Sequence, residues 1–269
     1  MSVRIEKNNY VWTVIYSRPE ARNAMHPDYA RQLYDAFLEF ENDASARVAV
    51  FWGEGGAFCA GFDLKYAATL SDSTDLGSEL EFPENDNGQH IIGPMGPSRL
   101  ELKKPVIAAI AGPAVAGGME LACWCDMRVM ESTAYMGVYC RRWGVPLIDG
   151  GTIRLPRLVG QGRAMDLILT GRKVDAEECL QIGLCEYVVE EGQARAKAEE
   201  LAAQIAGFPQ GCMLSDRKSA IMQQGLSVRE GLMQEWGLSR EQFAREGAAG
   251  AARFASGKGR HGEFEKPEQ

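Results

Sequence analysis

In AVAGGMELACWCD, residues 114–126, two glycines, Gly117 and Gly118, stand just before a carboxylate, Glu120. The stretch follows KKPVIAAIAGP, residues 103–113, which reads as a buried strand ending in a Gly-Pro turn. A helix that begins at Gly117 exposes unpaired backbone N–H groups and a partial positive charge. Glycine lets a ligand atom come close to that backbone. The result suits an anion or a developing oxyanion. Gly117 and Glu120 are three residues apart, so a helix puts them on nearly one side. A carbonyl oxygen held at the Gly117 N–H then has a carboxylate beside it, a layout for proton transfer next to a polarised carbonyl. A second glycine-rich loop, GGAFCAGFDLK at 55–65, also follows a buried apolar run and can supply a second N–H. Either feature alone has an ordinary structural reading. Glutamate in a first helical turn is favoured by the dipole, and glycine before a helix often serves packing. The two loops together, each behind an apolar strand, point to a site.

These groups need elements to hold them. Alternation at 3–6 and Val11–Tyr16 predicts a hairpin. Tyr29, Leu33, Phe37 and Phe40 have helical spacing over 27–43. Short apolar runs at 48–52, Val106–Ile110 and 126–130 predict strands, with helices starting near Gly117 and near Gly150. Residues 163–171 read as a helix ending on glycine, and 175–183 as a short helix with Asp175 as its N-cap. From Gln193 onward the composition predicts three or four helices. Residues 66–99 are acidic, rich in turn formers and without period, which suggests a mobile segment over a site or a plain loop. Mixed strand and helix followed by helices makes an α/β core at 1–190 with a helical region at 191–269.

The net charge of −8 and a pI near 5.1 oppose nucleic acid and anionic membrane as partners. No apolar run approaches the ~20 residues of a membrane span, and the first ten residues do not read as a signal peptide. Seven cysteines without a C-x-x-C pattern read as buried reduced thiols, so the expected compartment is the cytoplasm. His26, His90 and His261 have no metal-ligand spacing, so no metal is expected.

Five blocks resemble the crotonase superfamily, the enoyl-CoA hydratase/isomerase group, and keep its order. They are RPEARNAM (18–25), GAFCAGFDL (56–64), KKPVIAAIAGPAVAGGMELACWCDMRV (103–129), WGVPLIDGGTIRLPRLVG (143–160) and ILTGRKVDAEECLQIGLCEYVV (168–189). The resemblance implies a crotonase-like ββα spiral core with a C-terminal helical trimerisation region. It implies a homotrimer or a hexamer built as a dimer of trimers, and acyl-CoA as substrate with no separate cofactor. By position it puts an oxyanion hole at the N–H groups of Phe62 and Gly117, and the CoA adenine region at Phe58, Ala60, Asp63 and Leu64. Arg18 and Arg22 fall where the CoA phosphates or pantetheine would lie. Phe254 and Lys258 fall where the family's last helix reaches a neighbour's CoA.

The chain departs from the hydratase pattern at one place. Of the family's two glutamates, the first matches Glu120 and the second falls on Cys140. A thiol is not a carboxylate: it is either an apolar filler of the acyl pocket or, if Arg141 and Arg142 favoured its thiolate, a nucleophile. Asp149 is the other available acid. Family members such as dienoyl-CoA isomerases and an aryl-CoA dehalogenase place a working aspartate there; otherwise Asp149 is an N-cap ahead of Gly150. Tyr139 and Trp143, with 66–99, are expected to shape the acyl pocket. The leading reading is enolate stabilisation with carboxylate acid/base catalysis, hydrating an enoyl-CoA or shifting its double bond. The alternatives are a hydrolase or dehalogenase with Asp149 as nucleophile, and a non-catalytic CoA-binding homologue.

Overall fold

The computed structural model describes residues 3–70, 80–82 and 91–257. The chain divides into two compact units, Met1–Ala202 and Ala203–Gln269.

The first unit is organised on a six-stranded sheet. Strands β1 (Val3–Asn8) and β2 (Val11–Tyr16) form the predicted antiparallel hairpin. Then β3 (Val48–Gly53), β4 (Val106–Ile110), β6 (Met127–Glu131) and β9 (Tyr187–Val189) add in parallel, in the order β1-β2-β3-β4-β6-β9. Every residue of β2 and β4 is buried, as continuous apolar runs in a covered parallel sheet require. β6 starts one residue later than the 126–130 expectation. Asp126 instead pins the start of β4: its carboxylate accepts the Val106 N–H at 2.8 Å, and its own N–H donates to the Val106 carbonyl at 2.8 Å.

A second, three-stranded sheet contains β5 (Pro113–Val115), β7 (Tyr135–Gly137) and β8 (Val174–Asp175) in the order β5-β7-β8. Two isolated bridges, Met25 with Phe62 and Cys59 with Ala114, extend this layer to the earlier turns of the chain. Each long strand thus turns into a short one and then into a helix, the repeating unit of a ββα spiral. Helix α1 (Pro27–Asn42) buries Ala30, Leu33, Ala36, Phe37 and Phe40 on one face. Phe37 meets Phe51 and Trp124 edge to face, with ring centroids 5.5 and 4.9 Å apart. Other described α-helices of this unit include α2 (Leu64–Ala67), α3 (Gly117–Trp124), α4 (Gly151–Val159), α5 (Gln161–Thr170) and α6 (Ala176–Ile182). Asp175 is the N-cap of α6, accepting the Glu178 N–H at 2.9 Å.

Helix α7 (Ala194–Ala206) crosses the division between units. It buries Ala194, Ala198, Leu201 and Ala202. Its Glu199 also accepts the Thr13 hydroxyl of β2 at 2.7 Å. The second unit holds α8 (Gln210–Met222), α9 (Val228–Gln242), a π-helical turn at Phe243–Gly247 and α10 (Ala248–Ala255). A capping box between Ser227 and Glu230 starts α9. Glu246 accepts the N–H groups of Gly211 and Cys212 at 2.9 and 2.7 Å and so closes the N-terminus of α8.

Candidate active site

The site forms where β5 gives way to α3. Ala116 is held at φ 52°, ψ −125°, an uncommon conformation for a residue with a Cβ, and it turns the chain into the helix. Its N–H donates to the Gly137 carbonyl at 2.8 Å, and its carbonyl accepts from Met119 and Glu120. Behind it, Gly61 has φ 92° and packs so closely that a Cβ there would lie 2.9 Å from Ala116 Cβ and 3.3 Å from Gly117 N. A Cβ on Gly118 would run into the Cys59 carbonyl. The two glycine loops predicted from sequence are therefore in contact, backbone to backbone. The flanking bonds are committed: Met25 donates to the Gly61 carbonyl at 2.7 Å, and Asp63 donates to Met25 at 2.9 Å. The N–H groups of Phe62 and Gly117, between them, have no acceptor among the described residues.

Glu120 is 4 % exposed. Its Oε1 accepts the N–H groups of Asp149 and Gly151 at 2.9 and 2.8 Å, so a side chain from α3 sits on the N-terminus of α4. A Cβ on Gly151 would fall 2.9 Å from Glu120 Cγ and Oε1, which is why glycine stands there. Burial, then the charge of Asp149, pushes the Glu120 carboxyl up to about 7, against the pull of those two N–H groups.

Asp149 is 3 % exposed and does not cap α4. The N-cap is Gly150 at φ 92°, with no side-chain bond, so the capping reading of Asp149 is overturned. Its Oδ1 instead accepts the Met95 N–H at 3.0 Å and the Ser98 hydroxyl. Burial raises its pKa, opposed by the Ser98 and Met95 hydrogen bonds and by Arg99 and Arg154. Arg154 closes a ring, donating to the carbonyls of Asp149 at 2.9 Å and Ser98 at 2.8 Å. Met95, Ser98 and Arg154 were not singled out from sequence. The two Gly-Pro pairs of GPMGP, residues 93–97, were the available turn signal inside an otherwise aperiodic stretch. The expected mobile segment falls partly on residues 71–79 and 83–90, outside the described residues.

Cys140 is buried, and its pKa is raised by that burial and then by the charge of Glu120. The arginines do not turn it into a thiolate. Arg141 donates to the Ile168 carbonyl at 3.1 Å, and Arg142 lies 3.6 Å from the centroid of the Tyr139 ring. Burial and the charge of Glu120 thus oppose the thiolate that the nucleophile reading of Cys140 requires. Tyr139 is half-buried, whereas Trp143 is exposed.

The residues carried over for CoA divide into groups. Arg18 pairs with Asp63 at 2.7 Å and donates to the Ala24 carbonyl at 2.9 Å. Asp63 also caps α2 through the N–H groups of Lys65 and Tyr66. Burial alone would raise the Asp63 carboxyl; Arg18 and those N–H groups pull it below its usual value. Phe58 is fully buried, with its ring in the core 5.0 Å from Phe51, so it presents no surface to a ligand. Ala60 is half-buried, and Leu64 and Arg22 are exposed. Phe254 is exposed on α10 in the second unit, and Lys258 lies outside the described residues. Among the described residues no group of three or more His, Cys, Asp or Glu side chains is gathered as a metal site. No described helix is long and apolar enough to cross a membrane.

A family model described as Enoyl-CoA hydratase/isomerase matches residues 6–244. Enoyl-CoA hydratase EchA19 of Mycobacterium tuberculosis is 37% identical over 209 residues, 75% of this chain and 73% of that protein. The putative enoyl-CoA hydratase/isomerase YngF of Bacillus subtilis is 36% identical over 245 residues, 89% of this chain and 86% of its own length. A solved enoyl-CoA hydratase, EchA1 of Mycobacterium marinum, superposes with a TM-score of 0.83 at 28% identity, covering 96% of each chain. The chain belongs to the enoyl-CoA hydratase/isomerase family and is an enzyme of that type.

Proposed function

We propose that the protein binds an acyl-CoA thioester with its carbonyl oxygen between the N–H groups of Phe62 and Gly117. Glu120 and Asp149 then move protons at the adjacent carbons. The observation that carries this reading is the pair of N–H groups without a protein acceptor, set beside a buried carboxyl whose pKa lies near 7. Donors aimed at the oxygen stabilise negative charge as an enolate develops, and one such donor is worth ~3 kcal/mol in comparable sites. A carboxyl near neutrality suits taking and returning a proton. In hydration, the oxygen of water bonds to the β-carbon, its proton passes to a carboxylate, and the α-carbon receives a proton in return. In a double-bond shift, a proton leaves one carbon and is delivered to another with no net addition. Cys140, a protonated thiol where the hydratase pattern has a second glutamate, supports Asp149 as the second acid.

Half-buried Ala60 and exposed Leu64 are the proposed adenine contact, and exposed Arg22 is the available cation for the CoA phosphates. Arg18 and Asp63, spent on each other, would act by holding that loop. We also propose a homotrimer or a dimer of trimers. The seven free cysteines, six of them buried, fit a reducing compartment such as the cytoplasm.

The test is a panel of acyl-CoAs read by mass spectrometry. A gain of ~18 Da with the thioester intact reports hydration, an unchanged mass with a moved double bond reports isomerisation, and free CoA reports hydrolysis. On the substrate so found, Asp149→Asn keeps an acceptor for Met95 and Ser98 but cannot exchange a proton. Activity should fall by ~10²- to 10⁴-fold. Full activity in that variant would leave Glu120 as the only working carboxylate.

A further inference from the structure

In GPMGPSR, residues 93–99, Ser98 carries the only hydroxyl. It is 1 % exposed, and a buried hydroxyl needs a partner. That partner is ionisable: Oδ1 of Asp149, which also accepts the Met95 N–H at 3.0 Å. The backbone builds the meeting. Gly93 and Gly96 donate to each other's carbonyls at 2.9 Å, and a Cβ on Gly93 would collide with Ser98 Oγ. Arg154 donates to the carbonyls of Ser98 at 2.8 Å and Asp149 at 2.9 Å, so a single guanidinium holds both residues. Asp149 in turn donates its own N–H to Glu120 Oε1 at 2.9 Å, and Gly151 donates to the same oxygen at 2.8 Å. Each carboxyl thus has one oxygen occupied twice. No described residue donates to the other oxygen, Oδ2 of Asp149 or Oε2 of Glu120. Those two oxygens are left for a proton.

We infer that Ser98 is a positioning residue for proton transfer: its hydroxyl, held against Oδ1, favours the ionised form of Asp149 and so decides which of two adjacent carboxyls carries the proton. The inference rests on the acyl-CoA reading of the site. A hydrogen bond to a charged acceptor is roughly twice as strong as one to a neutral acceptor, so the hydroxyl stabilises the carboxylate more than the acid. Burial opposes the charge on Asp149; the Ser98 hydroxyl, the Met95 N–H and then the guanidiniums of Arg99 and Arg154 favour it. Burial, and then the charge of Asp149, keeps the proton on Glu120. The thiols facing the pair, Cys59, Cys123 and Cys140, are all raised by burial and carry no charge. The pair then begins a turnover with one base and one acid, as moving protons at adjacent carbons requires. Packing alone asks for no hydroxyl at a buried position.

The experiment titrates the ligand-free full chain by NMR of isotope-labelled side-chain carboxyls, assigned with Asp149→Asn and Glu120→Gln. In the wild type Asp149 should ionise at lower pH than Glu120. Ser98→Ala should move the Asp149 midpoint up by about one pH unit. Ser98→Cys, a weaker donor of similar size, should move it the same way by less, and it decides the matter if Ser98→Ala does not fold. On a substrate from the acyl-CoA panel, the acid limb of kcat/KM should move up with the midpoint, a shift that a merely structural serine would not produce. A wild type in which Glu120 ionises first, or a folded variant with the parent midpoints, overturns the inference and leaves the acyl-CoA reading standing. An acid limb that stays in place while the midpoint moves also overturns it. A panel in which no acyl-CoA is bound or turned over overturns the acyl-CoA reading and the inference with it, whatever the titration shows.

Discussion

Glu120 is a carboxyl that the fold holds partly against its charge. Its pKa stands near 7 in the folded protein and near 4.5 without the fold. The protonated form is thus favoured by folding. The stability this contributes is complete below pH ~4.5 and is lost as pH rises through ~7. At ~1.4 kcal/mol per pKa unit the full swing is on the order of 3 kcal/mol. Glu120→Gln can still accept from Asp149 and Gly151 through its amide oxygen but cannot ionise. Urea unfolding of both proteins should show the variant gaining on the wild type between pH 5 and pH 8. A stability difference that stays flat with pH would mean the site does not strain Glu120. The same residue was legible in the sequence, because helix period alone puts a carboxylate three residues from Gly117 on its side. Its elevated pKa was not legible, since that depends on burial by the folded chain and then on the charge of Asp149, which follows 29 residues later.

Helix α3 carries the site and is secured at both ends by other elements. At its start, Ala116 holds φ 52° with a Cβ. Ala116→Gly should relieve that strain and stabilise the protein by ~1 kcal/mol, read as a higher thermal midpoint. At its end, Arg128 of β6 is 1 % exposed and donates to the Cys125 carbonyl at 2.8 Å, in the last turn of the chain through α3. It also pairs with Glu186, which in turn accepts the Arg128 N–H at 2.6 Å. Arg128→Ala strips the helix C-terminus of its cation and leaves Glu186 without its guanidinium. The expected loss is ~3 kcal/mol or more, measured by denaturant unfolding. A loss under ~1 kcal/mol would show that water replaces the arginine at little cost.

At the scale of the whole chain, the second unit presents an apolar face that its own helices do not cover. Val228, Leu232 and Trp236, spaced four residues apart on α9, are 82%, 60% and 61% exposed, and Met233 beside them is 65% exposed. That is one helical stripe. Exposed contiguous apolar surface of this kind marks an association site, which is the physical support for the proposed trimer. Leu232→Glu places a charge in the stripe without touching the described core. Light scattering at micromolar concentration should report a smaller species than the wild type. A wild type that is already monomeric would remove the oligomer from the proposal.

Local rules determined much of this protein. The hairpin, the buried strands Val11–Tyr16 and Val106–Ile110, α1, the Asp175 cap and the start of α3 at Gly117 follow from periods of two and 3.6 and from the residues that begin and end helices. Those rules act within a few residues and so survive in the sequence. Asp149 shows where they end. From sequence it was a cap or a proton carrier, and capping is the local reading. The structure gives the capping position to Gly150 and turns the carboxylate toward Met95 and Ser98, more than fifty residues earlier. Cys140 likewise had two arginines beside it in sequence, and only packing revealed that they are occupied elsewhere. What a buried polar side chain bonds to is decided by which partners the fold brings within ~3 Å, and that distance has no counterpart in sequence separation.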